Sequence, residues 1–114
     1  MAKFLVLYHS PIPAAEMMAN TTPEQAQAGM DAWMAWAQKN GRGIVDLGMP
    51  LGSNMQVTQG ASSPGSSQAS GYSIIQADSL AEAAAMLEDH PHLHTPGGTI
   101  EVFELLAMPG MGEP

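Results

Sequence analysis

Residues 70–94 read SGYSIIQADSLAEAAAMLEDHPHLH, a strand, a capped helix and a histidine-rich stop in that order. Tyr72 to Ala77 is a short apolar run rich in Ile, bounded by Gly71 and Asp78, which is the pattern of a strand covered on both faces. Ser79 follows as an N-cap, and Glu82 three residues later completes a capping box. Leu80, Ala83, Ala84 and Leu87 recur at i, i+3, i+4 and i+7, which predicts one apolar stripe lying on a sheet. Pro91 stops the helix, because it has no N–H and disfavours helical backbone at His90.

Toward the N-terminus, a first strand over 3–8 places Phe4, Val6 and Tyr8 on one side and Leu5, Leu7 and His9 on the other. Both sides are apolar, so the strand is expected at the centre of the sheet with both faces covered. His9 ends it, either as a hydrogen-bonded edge residue or as a base lining a cleft. Residues 10–21 read as a connector. Thr22-Pro23-Glu24-Gln25 then opens a helix over 22–40 with a capping box and proline at the first helical position. Ala26, Met30, Trp33, Met34 and Ala37 form its expected buried stripe, and Trp33 and Trp36 cannot both sit centrally in it, so one of them is expected to face a partner or a ligand cavity. The Asn40-Gly41 pair ends the helix.

Residues 44–49 read as the next strand, with Asp46 the one acid inside it, either at a solvated edge or as a pocket carboxylate. Residues 54–59 read as a weaker strand extending that hairpin. Residues 60–70, GASSPGSSQAS, read as a flexible loop, and it is no phosphate loop because a strand follows it and no Lys does. Thr99 to Leu105 is the last strand and 107–114 a broken tail. The order strand–helix–strand–strand–helix–strand predicts one α+β domain over 1–114 of the ferredoxin-like βαββαβ kind, with an antiparallel sheet and two helices on one face. Strand 71–77 is expected beside 3–8. The other sheet face is apolar and needs a cover, for which a second copy stacking sheet to sheet is the simplest.

Composition narrows the function classes. Only 12 % of residues are charged, about half the usual ~25 %, and interface cores are depleted in charge, so a homodimer is expected. Three basic against eleven acidic residues give a net charge of −8, and Lys3, Lys39 and Arg42 form no cluster. That argues against nucleic acid and against an anionic membrane surface. The absence of cysteine excludes disulfides, thiol nucleophiles and thiolate metal sites. The opening MAKFLVLYHSPIP is too short in its apolar core for a signal peptide, and a cytoplasmic protein with no membrane span is expected. His90, His92 and His94 alternate along an extended segment; with no fourth ligand evident, neither metal nor cofactor is expected, and His92 and His94 stand as ligand contacts or as polar loop residues. Met30, Met34 and Met86 read as core filler.

Four ordered blocks, LVLYHS at 5–10, AWMAWAQKNGRGIVDLGMPLG at 32–52, SGYSIIQADSLAEAAAMLEDHPHL at 70–93 and GGTIEVFELLAMPGM at 97–111, resemble the YCII-related family. The resemblance implies a dimeric α+β barrel with a cavity between the sheet and helices of each subunit, and a small, aromatic or hydrophobic ligand for which Trp33, Trp36, Met30, His92 and His94 are candidate contacts. Some members of that family use a His/Asp pair for proton transfer, and alignment puts Met30 and His90 at those places here. Met30 cannot take a proton and His90 is no carboxylate, which favours a binding or accessory role. His9, Asp46 and His90 are the candidate replacement set for the alternative, an isomerase or lyase working by acid–base proton transfer.

Overall fold

The computed structural model describes all 114 residues. Strand β1 is Ala2–His9, followed by helices α1, Ala14–Ala19, and α2, Pro23–Asn40. Strands β2, Ile44–Asp46, β3, Met55–Thr58, β4, Ala61–Pro64, and β5, Ala69–Ala77, precede helix α3, Leu80–Leu87, and strand β6, Thr99–Glu104. Four strands form one antiparallel sheet in the order β2-β5-β1-β6, and β3 and β4 form a separate two-stranded sheet. No helix is long and apolar enough to cross a membrane.

Register divides the large sheet into two faces. Phe4 lies opposite Ile75, and Val6 lies between Ser73 and Val102. These residues look toward α2 and α3, and the core is Phe4, Val6, Tyr8, Ile75 and Ala77 from strands with Trp36, Ala83 and Leu87 from helices. Leu5 opposite Ile74 and Phe103, and Leu7 opposite Tyr72, occupy the other face, which no element of this chain covers. Fully burying each large core side chain contributes about 1.5–3 kcal/mol.

Both long helices begin as their sequences dictate. The Thr22 hydroxyl accepts the Gln25 N–H at 3.2 Å, and the Gln25 carboxamide accepts the Thr22 N–H at 3.0 Å. Ser79 accepts the Glu82 N–H at 3.1 Å; Glu82 reaches back to the N–H of Asp78, one residue ahead of the cap. Helix α3 then runs to the segment where Pro91 starts a single 3-10 turn over Pro91–His94.

Several expectations are corrected. Met30 and Met34 are 58 % and 42 % exposed, so the buried side of α2 is not the expected stripe but the side bearing Trp33, Trp36 and Ala37. The first half of α2, residues 23–32, is exposed on every side, because the helix runs past the sheet before it finds anything to pack on. On α3, Leu80 is exposed and the packed residues are Ala83, Met86 and Leu87. The connector 10–21 contains α1. Residues 54–59 do not extend the β2 hairpin: they fold onto 61–64, inside the stretch read as a loop, because Gly60 at φ 77° permits the tight reversal. Strand β2 stops at Asp46, where Gly48 takes φ 84° against the β5 backbone.

Candidate functional site

The side chain at the centre of the sheet–helix layer is His90. It follows α3, and Pro91 holds it in extended backbone (φ −66°, ψ 138°), which turns the imidazole inward. The ring is fully buried. Its Nδ1 accepts the backbone N–H of His92 at 3.0 Å, so in the neutral ring the proton sits on Nε2. That Nε2–H has no hydrogen-bond partner, and no other buried side-chain N or O shares this state.

Aromatic rings surround it. Trp33 and Trp36 each stand with ring centroids 4.4 Å from His90, at 88° and 65°. Tyr8 lies 4.8 Å away, tilted by 33°. Trp33 also meets Tyr8 edge-on at 4.9 Å, and the His92 ring is 5.3 Å from Tyr8. The polar ends of Trp36, Tyr8 and His92 are engaged elsewhere. Trp36 donates Nε1–H to the Met86 carbonyl at 2.9 Å. Tyr8 donates to the Ser73 hydroxyl at 2.8 Å, and Ser73 donates to the Leu47 carbonyl at 2.6 Å. His92 donates Nε2–H to the His9 carbonyl at 2.8 Å.

The electrostatics follow from burial. Desolvation pulls the His90 imidazole down to about 4, and the neighbouring His92 adds to it, with Asp89 opposing. Burial pushes the Tyr8 phenol up to about 12 against its bond to Ser73. At neutral pH the cluster therefore carries no charge on either group, and His90 presents a neutral N–H donor inside an aromatic wall.

Of the residues singled out in the sequence, the structure gathers Trp33, Trp36, His90 and His92 into this cluster. Both tryptophans contribute, which the expected helix stripe did not allow. Met30 lies on the exposed side of α2 and His94 is exposed in the 3-10 turn. Asp46 is exposed at the sheet edge, where it accepts the Gly48 N–H at 2.9 Å. His9 contributes only its carbonyl to the cluster, because the alternation of β1 sends its imidazole to the uncovered face. There it pairs with Glu101 at 2.6 Å. His9, Asp46 and His90 thus do not meet. No three His, Asp or Glu side chains converge in metal-binding geometry.

Tyr8, Ser73 and Glu101 were not singled out in the sequence. Tyr8 was legible as the third inward residue of β1; Ser73 and Glu101 depend on strand register, which one sequence does not print. The comparisons with known proteins add no identity: no family model and no curated protein matches this sequence.

Proposed function

We propose that this chain is a ferredoxin-like, homodimeric domain of the YCII-related type that binds a small aromatic or hydrophobic molecule without turning it over, in the cytoplasm. The sheet order β2-β5-β1-β6, read over the four core strands alone, is compatible with a split βαβ arrangement. The uncovered face with Leu5, Leu7, Tyr72, Ile74 and Phe103 is the surface on which a second copy would stack.

The observation that carries the binding role is the unpartnered Nε2–H of His90. A buried donor left without an acceptor costs about 1–3 kcal/mol, and a ligand carbonyl or hydroxyl oxygen reaching it would recover that energy. Flat aromatic ligands suit the walls, which are the rings of Tyr8, Trp33 and Trp36. The rings of Tyr8, Trp33 and Trp36 pack directly on His90, so entry requires half-buried Trp33 to swing outward. Proton transfer is disfavoured at this point. Neutral His90 is a weak base, the Tyr8 phenol is held protonated, and no carboxylate is hydrogen-bonded to either side chain.

Trp33 and Trp36 are the only tryptophans and both touch His90, so tryptophan emission, excited selectively, reports this site alone. Titration with a panel of neutral phenols and aryl ketones is expected to shift that emission and to raise the melting temperature in the wild type, and to do neither in His90→Phe. A panel that moves neither signal in the wild type defeats the reading.

The His9–Glu101 pair favours the second reading, acid–base catalysis by an isomerase or lyase, at a different place on the chain. That reading expects a turnover on the same panel that His9→Asn abolishes and His90→Phe leaves intact.

A further inference from the structure

The chain is spread thinner than its mass warrants. Its Cα radius of gyration is 15.6 Å, against about 13 Å for a compact domain of this length. It exposes 7707 Å², whereas a folded monomer of 11.9 kDa exposes about 5,900 Å². The surplus of roughly 1,800 Å² per chain lies in the range that obligate homodimers remove from each subunit.

One element that adds to it is the β3–β4 hairpin. Every residue of β3 and β4 is exposed. Met55 and Val57, two residues apart and so on one side of the hairpin, are 59 % and 74 % exposed. Their cross-strand partners are Pro64 and Ser62, which carry no charge. The whole stretch from Leu47 to Ala77 contains no Asp, Glu, Lys, Arg or His. Exposed strand edges are ordinarily guarded by charge, lysine above all, and a lone two-stranded hairpin is marginal in water. An unguarded, uncharged hairpin with Met55 and Val57 exposed on one side shares with interface cores their lack of charge.

We propose that the β3–β4 hairpin is a dimer arm, buried against a second copy of this chain. A second copy is the occupant because one two-fold axis lets both arms be covered at once, which accounts for a surplus of this size without a further component. The inference rests on the homodimer reading above but names a contact separate from the stacked sheet faces.

The test compares the full-length wild type with Leu7→Glu on the open sheet face and with the double variant Met55→Asp/Val57→Asp in the arm, by sedimentation equilibrium. The wild type is expected to be a dimer, and the arm variant to dimerise roughly 100-fold more weakly. Its circular dichroism and Trp36 fluorescence should match the wild type, since the hairpin lies outside the core. Amides of residues 55–64 are expected to exchange slowly in the wild-type dimer and fast after dilution to monomer. If the arm variant dimerises as the wild type does, or if those amides exchange fast in the dimer, the arm inference falls while the sheet-face reading, tested by Leu7→Glu, stands. A wild type that is monomeric at all concentrations overturns both.

Discussion

His92 donates its backbone N–H to Nδ1 of His90 at 3.0 Å, and this one bond fixes the chemistry of the cluster. It assigns the neutral tautomer of His90, sends the remaining proton to Nε2 and aims it at the rings. It also holds the 3-10 turn so that the His92 ring reaches the His9 carbonyl. Two histidines two positions apart thereby tie the end of α3 to the end of β1, with Pro91 between them setting the geometry.

Stability should fall as the medium is acidified from about pH 6.5 toward pH 4. The folded chain holds His90 near 4 and the unfolded chain near the ordinary ~6.5, so in that window the unfolded state binds the extra proton. The contribution is complete above the upper value and lost on the way down, by at most about 3 kcal/mol. Urea unfolding at intervals of pH checks it, with His90→Asn as the control: its carboxamide oxygen can still accept the His92 N–H, and its pH profile should be flatter by that amount.

The elements were legible in the sequence where local chemistry sets them. Thr22 with Gln25, Ser79 with Glu82, and Pro91 each act within four residues, and the helix starts and the stop fall where they place them. Which side of α2 is buried was not legible, because Met30 and Met34 share the periodicity of a core stripe, and only the length of the sheet beneath decides how many turns are covered. The cluster was half legible. Trp33, Trp36, His90 and His92 were singled out separately, but their meeting depends on β1 and β5 register, as does the diversion of His9 to Glu101. The hairpin was missed because serine-rich strands carry no apolar alternation on β4, and the pairing itself supplies the order.

Substitutions on α2 separate the expected stripe from the observed one. Trp36→Ala removes a buried core ring that packs on His90 and orphans the Met86 carbonyl, and should cost about 3–5 kcal/mol. Met30→Ala, on an exposed side chain, should change monomer stability by no more than about 0.5 kcal/mol. Thermal melts of the two variants should differ by many degrees, and comparable losses would restore the stripe read from the sequence.

The Tyr8–Ser73–Leu47 chain of hydrogen bonds predicts an asymmetry between its two side chains. Tyr8→Phe deletes one donor and leaves Ser73 still bonded to the Leu47 carbonyl, for about 1 kcal/mol. Ser73→Ala strands a fully buried phenol and removes the donor to the Leu47 carbonyl together, so it should cost about 2–4 kcal/mol. The double variant should be less destabilised than the sum, since the stranded phenol is then gone. Equal single losses in denaturant titrations would show that Ser73 serves only one of the two groups.

Gly48 is where β2 leaves the sheet, and its position tolerates no side chain. Its φ of 84° lies in the region L residues avoid, and an added Cβ would sit 1.6 Å from the Tyr72 carbonyl oxygen. That oxygen belongs to the backbone of β5 and cannot rotate away, so relief requires β2 and the segment to Pro50, which bridges Gly71, to separate from the sheet. Gly48→Ala should therefore destabilise the fold by about 2 kcal/mol or more. The loss should be local as well as global: amide exchange should accelerate at Ile44 to Asp46 and along their β5 partners, Ile74 and Ile75, while the β1–β6 pairing on the far side of β1 keeps its protection. Gly52, with open space around its Cα, is the control, and Gly52→Ala should leave both stability and exchange unchanged.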